Sequence, residues 1–377
     1  MTTEGATRDG NWRWWVCGAL LLATLLNYMD RQALAETATE LKARFALGDA
    51  RYGKIERGFS WAFAAGSIVF GVLADRFGPR KLYPIVLLGW SVAGIFTPFA
   101  ASSQFVARFE SPDDPPGTGT YLWLLGCRVA LGFFEAGHWP CALLTARQIL
   151  SAAERPFGNG LLQSGASLGA ILTPLYAMQV RNAGGSWEHV FWTIGVVGLL
   201  WIPLWIALVR RANLMGAPPP SADGDEGPVG WSLVRRLFTL FVVVICLNLS
   251  WQFVRAWLPK YLKEFHGYSN ELSAWTVAAY FSAADVGCIL SGAAVVWLVR
   301  RGRAVHTSRV IAFAACVALS ALAALIPSLG GNPRVLMPVL MLVGAGVLGL
   351  HPHYYALVQE LPTKRMGQLS GLLAAAA

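Results

Sequence analysis

Leu122-Trp-Leu-Leu-Gly-Cys-Arg128-Val-Ala-Leu-Gly-Phe-Phe-Glu135-Ala-Gly-His-Trp-Pro140-Cys-Ala-Leu-Leu-Thr-Ala-Arg-Gln-Ile149 is the stretch on which the reading of this chain turns. It is apolar enough, and long enough, to cross a bilayer as a helix, which takes roughly 20 residues. Yet it carries Arg128 and Glu135 in its interior. One charge at the centre of a membrane helix costs roughly 2.5–3.5 kcal/mol even on lenient insertion scales. Their spacing is two helical turns, which returns both to one stripe about 10 Å apart. Such a stripe survives facing a wet cavity, or as a static salt bridge between helices, but not facing lipid. The expectation is a helix that lines a substrate path.

Composition agrees with a membrane protein. Of 377 residues, 55% are hydrophobic and 14% charged, with a mean hydropathy of +0.49; soluble domains carry about 25% charge. Sixteen tryptophans and thirty-nine glycines suit interface belts and close helix packing. The net charge of +9 does not point to nucleic acid, because the basic residues sit in short clusters between apolar runs. Cys17, Cys127, Cys141, Cys246, Cys288 and Cys316 all lie in apolar segments without metal-ligand spacing, and read as small packing residues. No cleavable signal peptide is evident, since the first apolar run is long and lacks a small-residue cleavage site. No phosphate-binding loop, paired catalytic acids or nucleophile constellation is visible, so the chain does not read as an enzyme, and no cofactor is expected.

Ten apolar runs follow one another. The first, Trp14 to Met29, continues with helical spacing through Leu41, so Asp30 and Arg31 fall inside a long helix. The alternative places them at the membrane surface, where hydropathy ends. The others are about Phe59–Leu73, Leu82–Ala101, Leu122–Ile149 (bent at Pro140), Phe157–Val180, Val190–Val209, Leu237–Leu262, Ala274–Val299, Val310–Pro327 and Val335–Val358. Ser102 to Thr120 reads as an exposed loop. Met366 to Ala377 begins an eleventh run. The Pro- and Gly-rich segment Ala217 to Pro228 marks a linker, which divides the chain into a six-span half (residues 1–212), a cytoplasmic linker (213–235) and an incomplete second half (236–377). Basic residues are denser on the loops that are inside if the N-terminus is inside, which places the N-terminus in the cytoplasm of a cell with this protein in its inner or plasma membrane.

Gly71-Val-Leu-Ala-Asp75-Arg76-Phe-Gly78-Pro-Arg80-Lys81 joins the second and third runs. Gly71 allows close helix approach, Asp75 suits a neighbouring helix N-terminus, Gly78 supplies a turn and the basic pair anchors the inner face. This segment resembles the signature loop of the major facilitator superfamily. A degenerate echo, Gly292 followed by Arg300-Arg301-Gly302-Arg303, has Val296 where the aspartate belongs. Two related halves with a site between them would carry such an echo.

Further blocks narrow the resemblance. They are Asn27-Tyr28-Met-Asp30-Arg31; Cys127-Arg128 with Gly132-Phe-Phe-Glu135-Ala-Gly137-His138-Trp139-Pro140; Gly160-Leu-Leu-Gln163-Ser164-Gly165; Trp257-Leu-Pro259-Lys260-Tyr261; Ala283-Ala-Asp285-Val-Gly287; and Tyr354-Tyr355-Ala-Leu-Val-Gln359. Together they resemble the anion:cation symporter branch, above all its hexuronate and aldonate transporters. The resemblance implies an all-α membrane protein of two six-helix halves, of which about ten spans and part of an eleventh are present here. It implies proton-driven import of a small sugar acid by alternating access, acting as a monomer in the lipid bilayer, with the carboxylate and protons as its only partners.

The resemblance also assigns roles. Arg31 faces the substrate carboxylate, Asp30 and Glu135 are protonatable carboxylates, Arg128 pairs with an acid, and Tyr28 and Gln163 line the cavity. Trp251, Gln252 and Tyr355 are candidates for contact with sugar hydroxyls. Gly71, Asp75, Arg76, Gly78 and Arg80 form the gating loop. Elementary chemistry fits these roles: a guanidinium matches a carboxylate bidentately and keeps its charge, so an arginine that leaves an acid for the substrate frees that acid to take a proton. Asp285 reads equally as a cavity residue or a packing acid, His138 as a packing residue before a proton relay, and Arg255 as an outer-interface residue. The rival readings are a truncated, transport-inactive fragment of such a carrier, and an organic-phosphate or organic-anion antiporter.

Overall fold

The structure, a computed structural model, describes residues 11–45, 47–210, 231–330, 332–361 and 365–376. The linker expected at 213–235 falls, up to residue 230, outside the described residues, as does the side chain of Arg255. Every regular element among the described residues is helical. In chain order they are α1 (Trp12–Phe45), α2 (Asp49–Phe77), α3 (Pro79–Phe96), the short α4 (Ser103–Val106), α5 (Thr118–Glu135), α6 (His138–Ile149), α7 (Arg155–Asn182), α8 (Trp187–Arg210), α9 (Trp231–Lys260), α10 (Asn270–Arg300), α11 (Val305–Ala321), α12 (Pro333–Gly349), α13 (His351–Val358) and α14 (Met366–Ala376).

Seven segments among the described residues are long and apolar enough to cross a membrane: α2, α3 with its following turn, α8, most of α9 and α10, α11 with its following turn, and α12 continued by α13. The helices α1, α5, α6 and α7 are not among them. Of these, α1, α5 and α7 carry Asp30, Arg31, Arg128, Glu135 and Gln163, while α6 is only 12 residues long. In α1, α5 and α7 the polar groups lower the hydropathy of the helix.

Two boundaries differ from the sequence expectation. First, α2 starts at Asp49, ten residues before the apolar run, so the amphipathic segment around Glu56 belongs to the helix. The Lys42–Asp49 ion pair, 2.6 Å, spans the corner between α1 and α2. Second, the Leu122–Ile149 run breaks at Ala136–Gly137, a turn before Pro140. The reason lies in the proline: its ring excludes the carbonyl four residues earlier, which belongs to Ala136, and it offers no N–H to that carbonyl. Gly137 N–H turns instead to Phe134 O at 3.1 Å.

In the first half α1 packs on α7 and α8, α2 on α5, and α3 on α8. Glycines set the α1–α7 distance. A methyl group at Gly165 would stand 2.4 Å from the Leu21 carbonyl oxygen, and one at Gly169 would stand 2.6 Å from that of Leu25. Backbone cannot yield as a flexible side chain does, so Gly165→Leu is expected to prevent close α1–α7 packing. The check is the yield and thermal stability of detergent-purified protein, which should fall sharply against wild type. Tryptophan is used here as core as well as at interfaces: Trp90, Trp187, Trp201 and Trp205 are fully buried, and Trp201 donates to the Ala19 carbonyl at 2.8 Å.

The second half packs α10 and α11 on α12. It meets the first half along two seams, α2 with α14 and α7 with α10 and α13. Hydrogen bonds across these seams gather at the end that carries Asp75. Asn159 Nδ2 donates to Gln359 Oε1 at 3.0 Å, while Gln359 Nε2 donates to Asn159 Oδ1 at 3.2 Å and to Leu143 O at 3.1 Å. Both amides are fully buried. Arg309 donates to the Ala152 carbonyl across the halves and pairs with Glu360 in its own half.

Candidate functional site

Asp30 and Arg31 are neighbours in sequence, and successive helical residues point about 100° apart. The structure uses that difference. Asp30 turns towards α3, where a methyl group on Gly94 would stand 3.1 Å from its Oδ1, and it is almost wholly buried. Arg31 turns inward: its Nε donates to Glu135 Oε2 at 2.7 Å. Both lie within the continuous helix α1, as its spacing led one to expect.

Glu135 is fully buried at the end of α5, while the Arg31 side chain keeps 25% of its exposure. The guanidinium is boxed by aromatic rings, with its carbon 5.1 Å from the Tyr28 centroid, 5.3 Å from Phe59 and 4.6 Å from Phe63. Rings at these distances attract a cation without neutralising it. Arg31 Nη2 and Glu135 Oε1 are both buried without a hydrogen-bond partner. The pair thus has one donor and one acceptor still unused.

Arg128 takes a different place from the one its stripe suggested. It is buried, but it does not bond Glu135. Its Nη1 and Nη2 donate to the backbone carbonyls of Asp30 (3.3 Å) and Arg31 (3.0 Å), and Nη2 stands 3.4 Å from Glu56 Oε1. Arg128 therefore grips α1 from the side of α5 and meets the half-exposed Glu56 of α2. Glu56 was missed in the sequence because it lies in an amphipathic segment full of charges. The missed signal was periodicity: Glu56, Phe59 and Phe63 fall at i, i+3 and i+7, one face of a helix.

Tyr355 brings the second half to this site. Its hydroxyl donates to Gln163 Oε1 at 2.9 Å, and its ring stacks on Trp139 with centroids 5.2 Å apart. Trp251 packs into the apolar cluster of the second half with Ala284, Cys288 and Val347, edge-on to Phe281 at 5.3 Å, and Gln252 is exposed. No hydrogen bond joins either to Arg31 or Glu135 among the described residues. His138 is held in the first-half core between Thr24 Oγ1 (3.0 Å) and Tyr83 OH (2.7 Å).

The Gly71–Lys81 segment is fastened to α14 at the far end. Asp75 Oδ1 accepts from the Gly367 N–H at 2.6 Å and Oδ2 from the Gln368 N–H at 2.8 Å, at the start of α14. A carboxylate on free helical N–H groups meets both the orphan donors and the positive end of the helix dipole. Close approach makes this possible, since a methyl on Gly71 would stand 2.6 Å from the Gly367 carbonyl. Gly78 turns the chain into α3 at φ +73°. Arg76 lies over the Phe77 ring at 5.5 Å, and the Arg80 carbonyl accepts from Trp205 Nε1 at 3.4 Å. Removing the charge by Asp75→Asn is expected to shift the protein away from this closed arrangement. The measurement is cysteine labelling at the α2–α14 seam, which should speed up several-fold over wild type.

A separate groove of about 510 Å³ runs between α3 and α5, lined by Ile85, Leu88, Val92, Phe96, Trp123 and neighbouring apolar groups. It holds none of the residues above and has the chemistry of hydrocarbon contact.

The sequence profile of the Major Facilitator Superfamily matches residues 20–377. The chain belongs to the Major Facilitator Superfamily. Its superfamily relatives are transporters and not enzymes. They include a probable sulfoacetate transporter, SauU of Cupriavidus necator, 27% identical over 74% of this chain and 63% of its own length. The D-galactonate transporter of Escherichia coli O6:H1 is 27% identical over 79% of this chain and 70% of its own. The galacturonate transporter of Dickeya chrysanthemi is 22% identical over 74% and 80%. Thus the chain spans less than two thirds of the SauU relative. Among solved superfamily structures, the proton:xylose symporter XylE superposes with a TM-score of 0.68 at 15% identity, covering 98% of this chain and 86% of that one. FucP in its outward conformation gives 0.67 at 14%, covering 96% and 88%.

Proposed function

We propose that this superfamily member imports a small sugar acid together with protons by alternating access. The observation that carries the proposal is the Arg31–Glu135 pair: a buried acid in direct contact with an arginine that solvent, and hence an anion, can still reach. A substrate carboxylate competes with Glu135 for the guanidinium, which can hold it in bidentate fashion. Once Arg31 turns to the substrate, Glu135 is left as an unpaired buried charge. Taking a proton removes that charge and its desolvation cost. Substrate and proton then enter together because neither is stable in the site alone. Names of the relatives support the substrate class, since galactonate and galacturonate are both hydroxylated monocarboxylates.

In this reading Arg128 holds α1 and α5 together beneath the site, Tyr28, Gln163 and Tyr355 offer hydroxyl and amide groups to the sugar, and Asp30 is a second carboxylate behind Arg31. With the N-terminus in the cytoplasm, the Asp75 end is cytoplasmic. The halves clasped there then describe the outward-facing state, with Arg31 open to the other side. The test is uptake of labelled galactonate, galacturonate and glucuronate into proteoliposomes with and without a protonophore. Accumulation that a protonophore collapses is expected; strict one-for-one exchange indifferent to the protonophore overturns the symport reading.

A further inference from the structure

The chemistry so far lies in the first half, but α7 presents a second polar stripe to the other half. Asn159, Gln163 and Ser167 recur every four residues, so they lie one above another on a single face. Each meets a polar residue of the second half. Asn159 exchanges hydrogen bonds with Gln359, Gln163 accepts from Tyr355, and Ser167 faces Asp285 of α10. The first two meetings are satisfied. The third is not: Asp285 Oδ1 and Ser167 Oγ are both buried without a hydrogen-bond partner.

The α7–α10 seam around them is narrow. A methyl at Gly160 would stand 3.0 Å from the Cys288 carbonyl, and one at Gly292 would stand 2.6 Å from Pro156 O. No ion pair reaches Asp285 among the described residues. From α10 itself the neighbouring ionisable group is the Cys288 thiol, one turn on. From α11, Arg309 is taken by Glu360 and the Ala152 carbonyl; from α13, His351 lies against the Val347 carbonyl and His353 beside Phe313; from α12, Ala345 and not a charged group sits against Gly287. A half-buried carboxylate in a small-residue seam, with one oxygen buried and no cation beside it among the described residues, is costly to keep ionised, and the seam is one that must part when the clasped end opens.

We propose that Asp285 is a second proton-exchanging carboxylate of this transporter, loaded when the α7–α10 seam closes over it and unloaded to water when the seam opens. On closure an O–H bond forms on its carboxyl with a proton taken from water; on opening that proton returns to water on the Asp75 side. The inference rests on the alternating-access reading above for its direction of transfer, but its test does not require transport.

The experiment uses the full chain in nanodiscs with spin labels at Phe77 and Arg303, both exposed at the Asp75 end. The ratio of closed to open distances is followed against pH without substrate. Each proton exchanged with closure changes that ratio by up to about tenfold per pH unit, with closure favoured as pH falls. Wild type is expected to show this dependence, Asp285→Asn to lose about one proton from the slope, and Asp285→Glu to restore it. Glu135→Gln should keep the Asp285 contribution. Thermal unfolding of each variant confirms that it is folded. An unchanged slope in Asp285→Asn, or no pH dependence in wild type, overturns the proposal. Loss of proton-driven uptake in wild type would instead overturn the symport reading, and the distance measurement would still decide Asp285.

Discussion

Glu135→Gln is expected to cut accumulation of substrate against its gradient by about tenfold per pH unit of driving gradient while leaving exchange in place. Glutamine keeps the shape and still offers an oxygen to Arg31 Nε, which the glutamate holds at 2.7 Å. What it lacks is a proton to exchange. In the proposed cycle that proton is the one exchanged as the substrate takes and leaves Arg31, distinct from the proton assigned to Asp285. A gradient of one pH unit is worth about 1.4 kcal/mol per proton, or about tenfold in accumulation ratio. The variant should lose that tenfold, the contribution of one proton, under the same gradient. Counterflow of labelled against unlabelled substrate, measured in the same proteoliposomes, should persist. A Glu135→Gln protein that concentrates the sugar acid as well as wild type sinks the coupling role.

Arg31→Ala should be the most damaging single change, through two separable effects. It deprives fully buried Glu135 of its cation, and breaking a buried pair from one side costs roughly 3–5 kcal/mol. It also removes the substrate's anchor, and truncating one member of a buried charged pair typically costs 2–5 kcal/mol of binding, so transport efficiency should drop by about 100-fold or more. Adding Glu135→Gln should recover much of the stability, since no unpaired charge then remains, and none of the transport. Thermal unfolding and uptake measured on both single variants and the double variant form a cycle that separates the effects. Arg31→Lys tests geometry: an ammonium keeps the charge but loses the planar fork and the ring box of Tyr28, Phe59 and Phe63. It should retain stability better than alanine and still transport poorly. Wild-type uptake by Arg31→Lys would show that charge alone suffices.

The two halves are not held together alike. On the α2–α14 seam Gly71 permits contact and Asp75 fastens it to the amides of α14. On the α7–α10 seam Gly292 permits the same closeness, but Val296 stands where the echo of the signature lost its acid. There the Asn159–Gln359 amides and Arg309 do the fastening. An amide pair gains no charge and answers to no pH, whereas Asp285 on the same seam is a carboxylate with no ion-pair partner among the described residues.

Much of this was legible in the residues. Hydropathy alone separates the apolar runs, because in a bilayer the backbone must satisfy itself and only helices of sufficient length do so here. Charged and polar residues inside those runs marked α1, α5, α6 and α7 as the site-bearing helices, because nothing but a cavity or a partner makes such residues affordable there. The Gly71–Lys81 segment announced a loop in which glycine, acid and bases have separate tasks. What periodicity could not supply was partners. Arg128 and Glu135 share a stripe, yet Glu135 is paired with Arg31 of α1 and Arg128 with Glu56 of α2. Pairing depends on how three helices far apart in sequence are rotated against one another, and a single helix carries no record of that rotation. The same holds for α7: Asn159, Gln163 and Ser167 are one polar face in any reading, but only the packing of α10 and α13 against it makes that face a row of contacts, two of them closed and the third, at Asp285, left open.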